Sequence, residues 1–448
     1  MKKWSGIGPK KSRLTQPFTS NVQGPSGWNR TVNKMGSQGP RVLVYFNGSF
    51  VNEENGAHIR VSELMKFLVS IDAQIIFYSY RDHNAWPWEE ADIRRFAVLY
   101  PRAELILEST SLLLRAWTRI KVVLAAIAPT LARQALRLRV PHLTPRLEEL
   151  SAGRELPFFI VNYARGLLEV NGLPDADLIL ETHDLAFLSG MKQSGGSVTD
   201  ARTILKARGE LAVLRSVGAL IGIAPAEASF FRMMLPEVQT YYVPKYPNAL
   251  SSPPAQPLVS NSRYDILFVG SENSFNVRGL VGFMREHRRW LSNRRFAIAG
   301  RVCGVAEVAE AAKDVGAVLL HYVPDLASIY AASGIVVSPV DGTGLKIKVI
   351  DALSAGKPVF GSSHTIAGLP PGFEGCVFPI DETEMDRILS DGAWLARAGG
   401  AALRYASALG EAGDCGALKS RLLGRSIPEV RVERALFAEV IPTTAGAG

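Results

Sequence analysis

The sequence predicts an α/β protein with two doubly wound parallel-sheet domains that face a central cleft. In two stretches of the chain, short apolar runs alternate with segments of helical length, which is the pattern of parallel strands covered by helices. Between the two stretches, residues 245–262 contain four prolines, two asparagines and four serines. That composition interrupts regular structure and predicts a linker. The 448 residues, 47% of them hydrophobic, suffice for two or three domains with large cores.

Six strands are expected in each stretch, because each is a short run of mainly apolar residues. In the first stretch they cover residues 42–46, 74–80, 104–108, 158–162, 177–182 and 219–224. In the second they cover residues 265–271, 296–300, 318–323, 335–340, 358–363 and 376–380. A helix over residues 56–70 connects the first two strands. Ligands of such sheets bind beyond the carboxyl ends of the strands, so the loops there are the first place to look for a site.

The expected division of the chain has five parts. Residues 1–40 form a disordered basic tail, 41–245 the N-terminal Rossmann-like domain, and 246–262 the linker. Residues 263–430 form the C-terminal Rossmann-like domain and 431–448 a C-terminal tail.

The formal net charge of +8 belongs to the first residues of the chain. Residues 1–41 carry eight basic residues and no acid, so residues 42–448 are formally neutral. A protein that coats nucleic acid with a basic surface is therefore not expected. The seven histidines form no closely spaced pair, and the three cysteines form no short-spaced pair, so no metal centre is expected either.

A cytoplasmic location is expected. The cysteine count is odd and offers no disulfide framework, which suits a reducing compartment. Before residue 41 there is no apolar run of signal-peptide length, and nowhere does the chain approach the ~18 uncharged apolar residues of a spanning helix.

Residues 109–147 depart from this pattern, with seven basic residues, no acid and many leucines and valines. A helix here would have one apolar and one cationic face, as helices lying on anionic lipid do. We expect contact with an anionic membrane surface, peripherally on the inner face of the cell membrane. The alternative is a helix packed on its own domain with solvated arginines. The candidate membrane-binding residues are Arg115, Arg119, Lys121, Arg133, Arg137 and Arg139.

The sharpest local signal is the segment 339–353, which follows a predicted strand and opens a helix. Its glycines would let a diphosphate approach backbone N–H groups at the positive end of the helix, and Lys346 and Lys348 could neutralise the phosphates. Asp351 lies about two turns beyond Gly344 on the same side, where its carboxylate could accept bonds from ribose hydroxyls. An ordinary helix N-terminus with solvated lysines is the alternative interpretation.

Two loops of the first domain are further candidates. His183 follows the strand over residues 177–182, where it can hydrogen-bond a polar substrate or take part in proton transfer, or be a surface residue satisfied by solvent. The loop 47–60, with glycines and small polar residues, suits close approach of a ligand to the backbone, or is a long surface turn. The loop 47–60 lacks G-x-G-x-x-G, and so does the segment 270–273, which weakens the hypothesis of a dinucleotide-dependent dehydrogenase.

In this order and spacing, the segments resemble family 4 glycosyltransferases, retaining enzymes with the GT-B fold of two Rossmann-like domains. The resemblance runs from about residue 41 to residue 408. Its carriers are residues 55–60 (NGAHIR), 161–165 (VNYAR), 182–184 (THD), 223–227 (IAPAE), 267–271 (LFVGS) with Asn276, 298–300 (IAG), 342–353 and 356–359 (GKPV).

The resemblance implies a nucleoside diphosphate sugar, UDP- or GDP-linked, on the C-terminal domain and an acceptor on the N-terminal domain, with no metal or other cofactor required. It gives His183 a catalytic role at the donor sugar. The donor-binding residues it implies are Gly56, Ser271, Asn276, Thr343, Gly344, Leu345, Lys346, Lys348 and Asp351. Two departures stand out: the family's pair of glutamates is replaced by Thr343 and Asp351, and an Arg and Lys after the second domain's first strand by Ser271 and Asn276.

The resulting functional hypothesis is a retaining hexosyltransferase that transfers a sugar to a membrane-associated, lipid-linked or glycan acceptor in bacterial surface polysaccharide or glycolipid biosynthesis. Two alternatives remain: a non-catalytic scaffold with the same fold, favoured by Thr343, and a nucleotide-sugar epimerase. A nucleic-acid binder that uses the basic tail ranks below both.

Overall fold

The computed structural model describes residues 39–137, 157–246 and 262–424, except residues 175, 324, 343 and 412. The predicted tails, apart from residues 39 and 40, lie outside these ranges, as do Arg139, Thr343 and most of the predicted linker.

The first domain is built on a seven-stranded sheet in which all neighbouring strands are parallel. Its strand order is β3-β2-β1-β4-β5-β6-β7. The strands are β1 (Arg41–Tyr45), β2 (Gln74–Tyr80), β3 (Glu104–Glu108), β4 (Phe158–Asn162), β5 (Asp177–Glu181), β6 (Ala219–Gly222) and β7 (Gln239–Tyr242). Along β1, Val42 and Val44 enter one core cluster while Leu43 and Tyr45 enter another. Because side chains alternate across a strand, this apolar run needs a covering layer on both faces.

Helices supply these layers. In the first domain they are α1 (Gly56–Ser70), α2 (Glu90–Leu99), α3 (Leu112–Ile127), α4 (Ala132–Arg137), α5 (Ala164–Glu169), α6 (Ala186–Ser194), α7 (Ala201–Leu214) and α8 (Pro225–Met234). A 3-10 turn, Pro129–Leu131, joins α3 to α4. The side chain of Asn55 caps α1 by accepting bonds from the N–H groups of Ala57 and His58, which explains why the helix starts directly after the cleft loop.

The second domain has a six-stranded sheet in the order β10-β9-β8-β11-β12-β13, again with all neighbours parallel. Its strands are β8 (Tyr264–Val269), β9 (Phe296–Ala299), β10 (Val318–His321), β11 (Ser333–Ser338), β12 (Val359–Gly361) and β13 (Val377–Pro379). Its helices are α9 (Ser274–Glu286), α10 (Arg288–Leu291), α11 (Ala306–Val315), α12 (Leu326–Ala331), α13 (Ile347–Ser354), α14 (Ser363–Ala367), α15 (Glu382–Ser390) and α16 (Gly392–Glu411), with a 3-10 turn at Arg301–Gly304. The two sheets confirm the predicted fold class.

The chain crosses between the domains a second time at its C-terminal end. Helix α17 (Cys415–Leu422) packs Cys415, Leu418 and Leu422 into the core of the first domain. The Arg421 guanidinium holds the carboxylate of Asp177 at 2.7 and 2.9 Å. The expected span 263–430 for the second domain did not include this return. The segment is too short and too weakly periodic for the sequence to predict which domain it packs against.

All twelve predicted strands are present, several with ends shifted by one or two residues. The helix over residues 56–70 has the predicted limits. The strand β7 was missed because its four residues are followed at once by the proline-rich segment. No helix among the described residues has both the length and the hydropathy needed to span a bilayer.

Candidate active site

The topology itself defines a cleft. In each sheet the strand order reverses direction between two central neighbours, β1 and β4 in the first domain and β8 and β11 in the second. Loops diverge to opposite faces at such a switch point and leave a crevice beyond the strand carboxyl ends. A cavity of about 910 Å³ lies there, bordered by the loops after β1, β4, β5, β8 and β11.

Most of the residues predicted to bind the donor line this one cavity. They are Gly56, Ser271, Asn276, Leu345, Lys346, Lys348 and Asp351, together with His183. Gly344 lies in the same loop as Leu345, and Thr343 is outside the described residues. Gly56 faces α13 across the cleft, because a methyl group there would lie 3.4 Å from Ile347 Cγ1. Residues about 290 positions apart in the chain therefore meet at one site.

The start of α13 offers a cationic pocket with open backbone donors. Lys346 is its N-cap residue, and the Lys346 side chain makes no capping hydrogen bond to the helix. The Lys348 ammonium donates to Asn276 Oδ1 at 2.7 Å and lies 4.2 Å from the centre of the Phe268 ring. Burial, and then the neighbouring Lys346 charge, lower the pKa of Lys348 to about 7. An anion bound at this helix end would restore the charged form.

Asn276 and Ser271 act together at the opposite wall. The Asn276 amide donates to the Ser271 carbonyl at 3.0 Å and to its hydroxyl at 3.2 Å, which leaves Oδ1 to receive Lys348. The two residues that stand where the family has Arg and Lys therefore position the remaining lysine in this structure, rather than adding a positive charge of their own.

Lys346 has a different arrangement from the one expected. Its ammonium donates to the carbonyls of Gly342 and Gly344 at 2.8 and 2.7 Å, so it closes the loop on itself. Burial is the main cause that lowers its pKa to about 8, against the nearby Glu227 carboxyl, which raises it. Lys346 must turn outward by rotating its side chain if it is to contact a diphosphate.

Asp351 lies deeper in the cleft, about one turn into α13. No hydrogen bond to its carboxylate is found within the described part of the chain, so its oxygens are available to a ligand. Burial raises its pKa to about 7, although the charge of Lys245 lowers it. Hydroxyl donors such as those of ribose would favour the ionised form.

His183 is held tightly at the end of β5. It is 8% exposed, its ring stacks on Tyr163 with centroids 4.3 Å apart, and its Nε2 lies 2.9 Å from Asn162 Oδ1. Burial and then the positive charge of Arg60 lower its pKa to about 3. The geometry supports hydrogen bonding by a neutral ring and disfavours proton transfer near neutral pH.

Sequence reasoning missed an ion pair that joins the two domains. Arg301, after β9, holds Glu54 of the first domain at 2.6 Å and Glu272 of its own domain at 2.7 Å. All three residues line the cavity. Charged residues in loops are too common for their sequence positions alone to indicate such a pair.

A second cavity, of about 1140 Å³, lies within the first domain and shares six lining residues with the cleft cavity, among them Trp86, Tyr163 and Asp184. Its floor includes Tyr45, Asn47 and Glu169, where Glu169 Oε2 accepts bonds from the other two at 3.2 and 3.0 Å. Its outer wall consists of Arg115, Arg119, Val122 and Val123, which belong to α3. The two cavities are therefore neighbours, with α3 on one side of the second.

The prediction of a membrane-binding lysine at position 121 is wrong. Lys121 is fully buried, and its ammonium donates to the Val170 carbonyl at 2.8 Å. It points inward because α3 packs on α5 and α7 through the face that carries Leu114, Lys121 and Ala125. The other candidates in the described residues, Arg115, Arg119, Arg133 and Arg137, are exposed.

Gly344 should not tolerate a side chain. Its φ is +71°, and a Cβ there would lie 3.3 Å from Glu227 Oε1 and 3.5 Å from the His183 carbonyl. We expect Gly344→Ala to lower the free energy of unfolding by about 1–2 kcal/mol and to weaken donor binding, because the loop that carries Lys346 must shift. Urea unfolding and calorimetric titration with UDP and GDP would measure both effects.

Gly195→Ala is the matched control for that variant. Gly195 has a similar φ of +64°, but a Cβ added there would have no atom within 4 Å. It should show the backbone cost alone, with unchanged donor binding. Equal effects of the two substitutions on donor binding would show that the Gly344 loop is not part of the site.

Comparison with known proteins agrees with this architecture. Residues 263–389 match the model of the family described as Glycosyl transferases group 1. The chain is a glycosyltransferase. No curated protein matches the sequence. The matched segment contains β8 to β13 and the lysines of α13, so the family assignment rests on the domain that carries the cationic pocket.

Solved structures similar to this glycosyltransferase share the GT-B fold at low identity. Sucrose-phosphate synthase from Thermosynechococcus elongatus has 16% identity and a TM-score of 0.56, covering 83% of this chain and 94% of that one. WaaG, a glycosyltransferase involved in lipopolysaccharide biosynthesis, has 14% identity and a TM-score of 0.52, covering 86% and 100%. S. aureus TarM in complex with Fondaparinux, alpha-GlcNAc-glycerol and UDP has 9% identity and a TM-score of 0.54, covering 83% and 98%.

Proposed function

We propose that this glycosyltransferase transfers a hexose, with retention of configuration, from a UDP- or GDP-sugar to a lipid-linked or glycan acceptor at the cytoplasmic face of a membrane. The process served would be assembly of a bacterial surface polysaccharide or glycolipid. The observation that carries the proposal is the pocket at the start of α13, where Lys348, a helix N-terminus that its N-cap residue leaves without a side-chain cap, and Asp351 border one cavity.

Each part of a nucleoside diphosphate has a matching group in the pocket. Backbone N–H groups at the helix start and the Lys348 ammonium match the diphosphate, and the Asp351 carboxylate matches ribose hydroxyls. Departure of the diphosphate develops negative charge on its oxygens, so cations fixed at this position lower the barrier to breaking the glycosidic bond. The TarM structure contains UDP, which supports a donor of this class.

Retention of configuration is supported by the low pKa of His183. An inverting reaction needs a base on the face opposite the leaving group, and a ring whose pKa is about 3 is a poor base at neutral pH. If the departing diphosphate itself takes the acceptor proton, the acceptor attacks from the same face as the leaving group. Asp184 lines both cavities and would be the base if the reaction inverts instead.

The surface of α3 supports the membrane part of the proposal. Leu112, Leu113 and Ile127 are 84%, 65% and 65% exposed, in a helix whose basic residues Arg115 and Arg119 are also exposed. Apolar side chains flanked by arginines match the boundary between acyl chains and anionic headgroups. The same helix forms the outer wall of the second cavity, so a lipid headgroup could enter it from the bilayer.

A donor screen tests the activity. Purified protein is incubated with UDP- and GDP-sugars and membrane lipid extract, and products are followed by mass spectrometry and by NMR of the anomeric proton. Transfer with an unchanged anomeric configuration is expected. Donor binding without turnover on any acceptor would favour the scaffold alternative, and conversion of the donor's own sugar without transfer would favour the epimerase. The absence of hydrolysis, of transfer and of binding with every donor tested would reject the proposal.

Liposome flotation tests the membrane contact. Changing Leu112 and Leu113 to serine should reduce binding to anionic liposomes about tenfold or more, because each leucine contributes roughly 1.5–3 kcal/mol when buried. Changing Val98 and Leu99 to serine is the control, since these α2 residues are 79% and 46% exposed in a helix whose two arginines are accompanied by Glu90 and Asp92, whereas α3 contains no acid. Equal flotation of both double variants would refute an α3 contact.

A further inference from the structure

The end of β4 fixes the orientation of one amide group. Asn162 Nδ2 lies 3.1 Å from the carbonyl oxygen of Tyr45, and Asn162 Oδ1 lies 2.9 Å from His183 Nε2. A backbone carbonyl can only accept a hydrogen bond, so the NH₂ group must face Tyr45. The amide oxygen then faces His183 and also only accepts. The proton of this contact therefore sits on His183 Nε2.

This contact decides the chemistry of the other ring nitrogen. The ring is neutral, because burial and the Arg60 charge lower its pKa far below neutrality, so a proton on Nε2 leaves Nδ1 with a free lone pair. Across the described ranges of the chain, no group donates to Nδ1. The ring borders the cleft cavity together with Gly56 and Lys346. An acceptor atom is thus presented where the donor is proposed to bind.

The ring cannot readily turn to exchange its two nitrogens. Tyr163 stacks on one face with an interplanar angle of 14°. His183 and Tyr163 both have positive φ, +55° and +66°, although neither is glycine. Such backbone strain persists where the surroundings hold it, and it often marks functional sites.

We infer that Asn162 is a positioning residue that holds His183 in the Nε2–H tautomer, so that Nδ1 accepts a hydrogen bond from a hydroxyl group of the donor sugar. The identity of the ligand in this inference rests on the proposed function, whereas the assignment of the tautomer does not. It makes the site selective for a sugar that carries a hydroxyl at the contacted position. A deoxy sugar at that position would leave the buried nitrogen without a partner.

The tautomer is measured directly by ¹⁵N–¹H NMR of histidine side chains in the full-length protein. His183→Gln assigns the resonance by its loss. We expect the wild-type ring to show the pattern of a neutral Nε2–H tautomer from pH 5 to pH 8. A neutral ring protonated at Nδ1, or a ring that titrates in this range, would overturn the inference. This readout needs no substrate, so it stands apart from any failure of the proposed activity.

Asn162→Asp and Asn162→Ala test the consequence. A carboxylate at position 162 stabilises the imidazolium and raises the His183 pKa, and a charged ring donates from Nδ1 instead of accepting. For Asn162→Asp, kcat/KM should therefore gain a second fall at the new His183 pKa as the pH decreases, in addition to the fall at about pH 7 that Asp351 gives the wild type. Asn162→Ala should lose about tenfold in kcat/KM for the donor without gaining the second fall.

Asn293→Asp is the matched control, because it adds the same charge at an exposed residue of the second domain. Its pH profile should match that of the wild type. If the Asn162→Asp profile also matched the wild type while NMR showed the ring charged, Nδ1 would have no role in donor recognition. Absence of transfer by the wild type with every donor would instead reject the proposed function.

Discussion

Replacing Lys348 by alanine is expected to lower kcat/KM for the donor by about 10²–10³-fold. Removing one preorganised group that faces developing charge typically costs this much. Lys348 is preorganised by Asn276, which accepts from it at 2.7 Å, and by the Phe268 ring. Steady-state kinetics with the best donor of the screen would measure the loss, and calorimetry with the free nucleoside diphosphate would measure the part due to binding.

Lys313→Ala is the control for that variant, because Lys313 is an exposed lysine in the last turn of α11. It removes the same charge from the same domain and should leave kcat/KM within about twofold, as most exposed substitutions do. Equal losses in the two variants would mean that Lys348 contributes only to net charge.

The same lysine predicts a pH dependence of donor binding. Its pKa in the free protein is about 7, so at pH 8 it is mostly neutral and must take up a proton to pair with a diphosphate. Wild-type affinity should therefore decrease as the pH rises through 7, with proton uptake on binding. Calorimetry in buffers of different ionisation enthalpy detects that uptake. Lys348→Ala should retain only the smaller uptake of Lys346, whose pKa is about 8.

Arg60→Met is expected to lower the free energy of unfolding by about 3–5 kcal/mol, the usual cost of leaving one partner of a buried ion pair alone. Arg60 and Glu181 are both fully buried and 2.5 Å apart. The Arg60 guanidinium also donates to the carbonyls of Val243 and Pro244, where the chain leaves the first domain. Urea unfolding monitored by circular dichroism would measure the change.

Two further variants show whether the buried charge causes that loss. Arg60→Met combined with Glu181→Leu removes both charges of the pair and should recover part of the stability. The remaining cost is that of the Val243 and Pro244 carbonyls and of buried Glu63, whose carboxylate lies 3.7 Å from the Arg60 guanidinium. Arg102→Met breaks a pair with Asp72 whose side chains are 86% and 74% exposed, and should cost no more than about 1 kcal/mol. A similar cost for Arg60→Met and Arg102→Met would contradict a structural role for the buried pair.

Much of the architecture and of the proposed donor pocket followed from local patterns. Strands such as Gln74–Tyr80 and Phe158–Asn162 have the predicted limits, because apolar runs between turn residues encode strands through neighbouring residues. The segment around Lys346 and Lys348 was found for the same reason: glycines, lysines and the helix start lie close together in the chain. The direction in which each lysine points was not predictable, since Asn276 is 72 residues from Lys348.

The exposed or buried state of the basic residues in α3 also had no local signal. Lys121 and Arg119 are two positions apart in a segment of uniform composition, yet one is buried beneath α5 and the other faces solvent. A helix turns by about 100° per residue, so which face is buried depends on the neighbours that pack against it. Those neighbours are distant in the sequence and are brought into contact only by the tertiary fold.

The sequence by itself determined the two parallel-sheet domains, the cleft loops and the chemical character of the proposed donor pocket, because each depends on residues that are adjacent or spaced within one element. Only the tertiary structure decided the ion pair of Arg60 with Glu181, the orientation of Asn162 toward His183, and the return of α17 to the first domain. In these three contacts the partners are separated in the sequence by 121, 21 and 244 positions, respectively. Their energies come from burial and pairing, which exist only after the chain has folded.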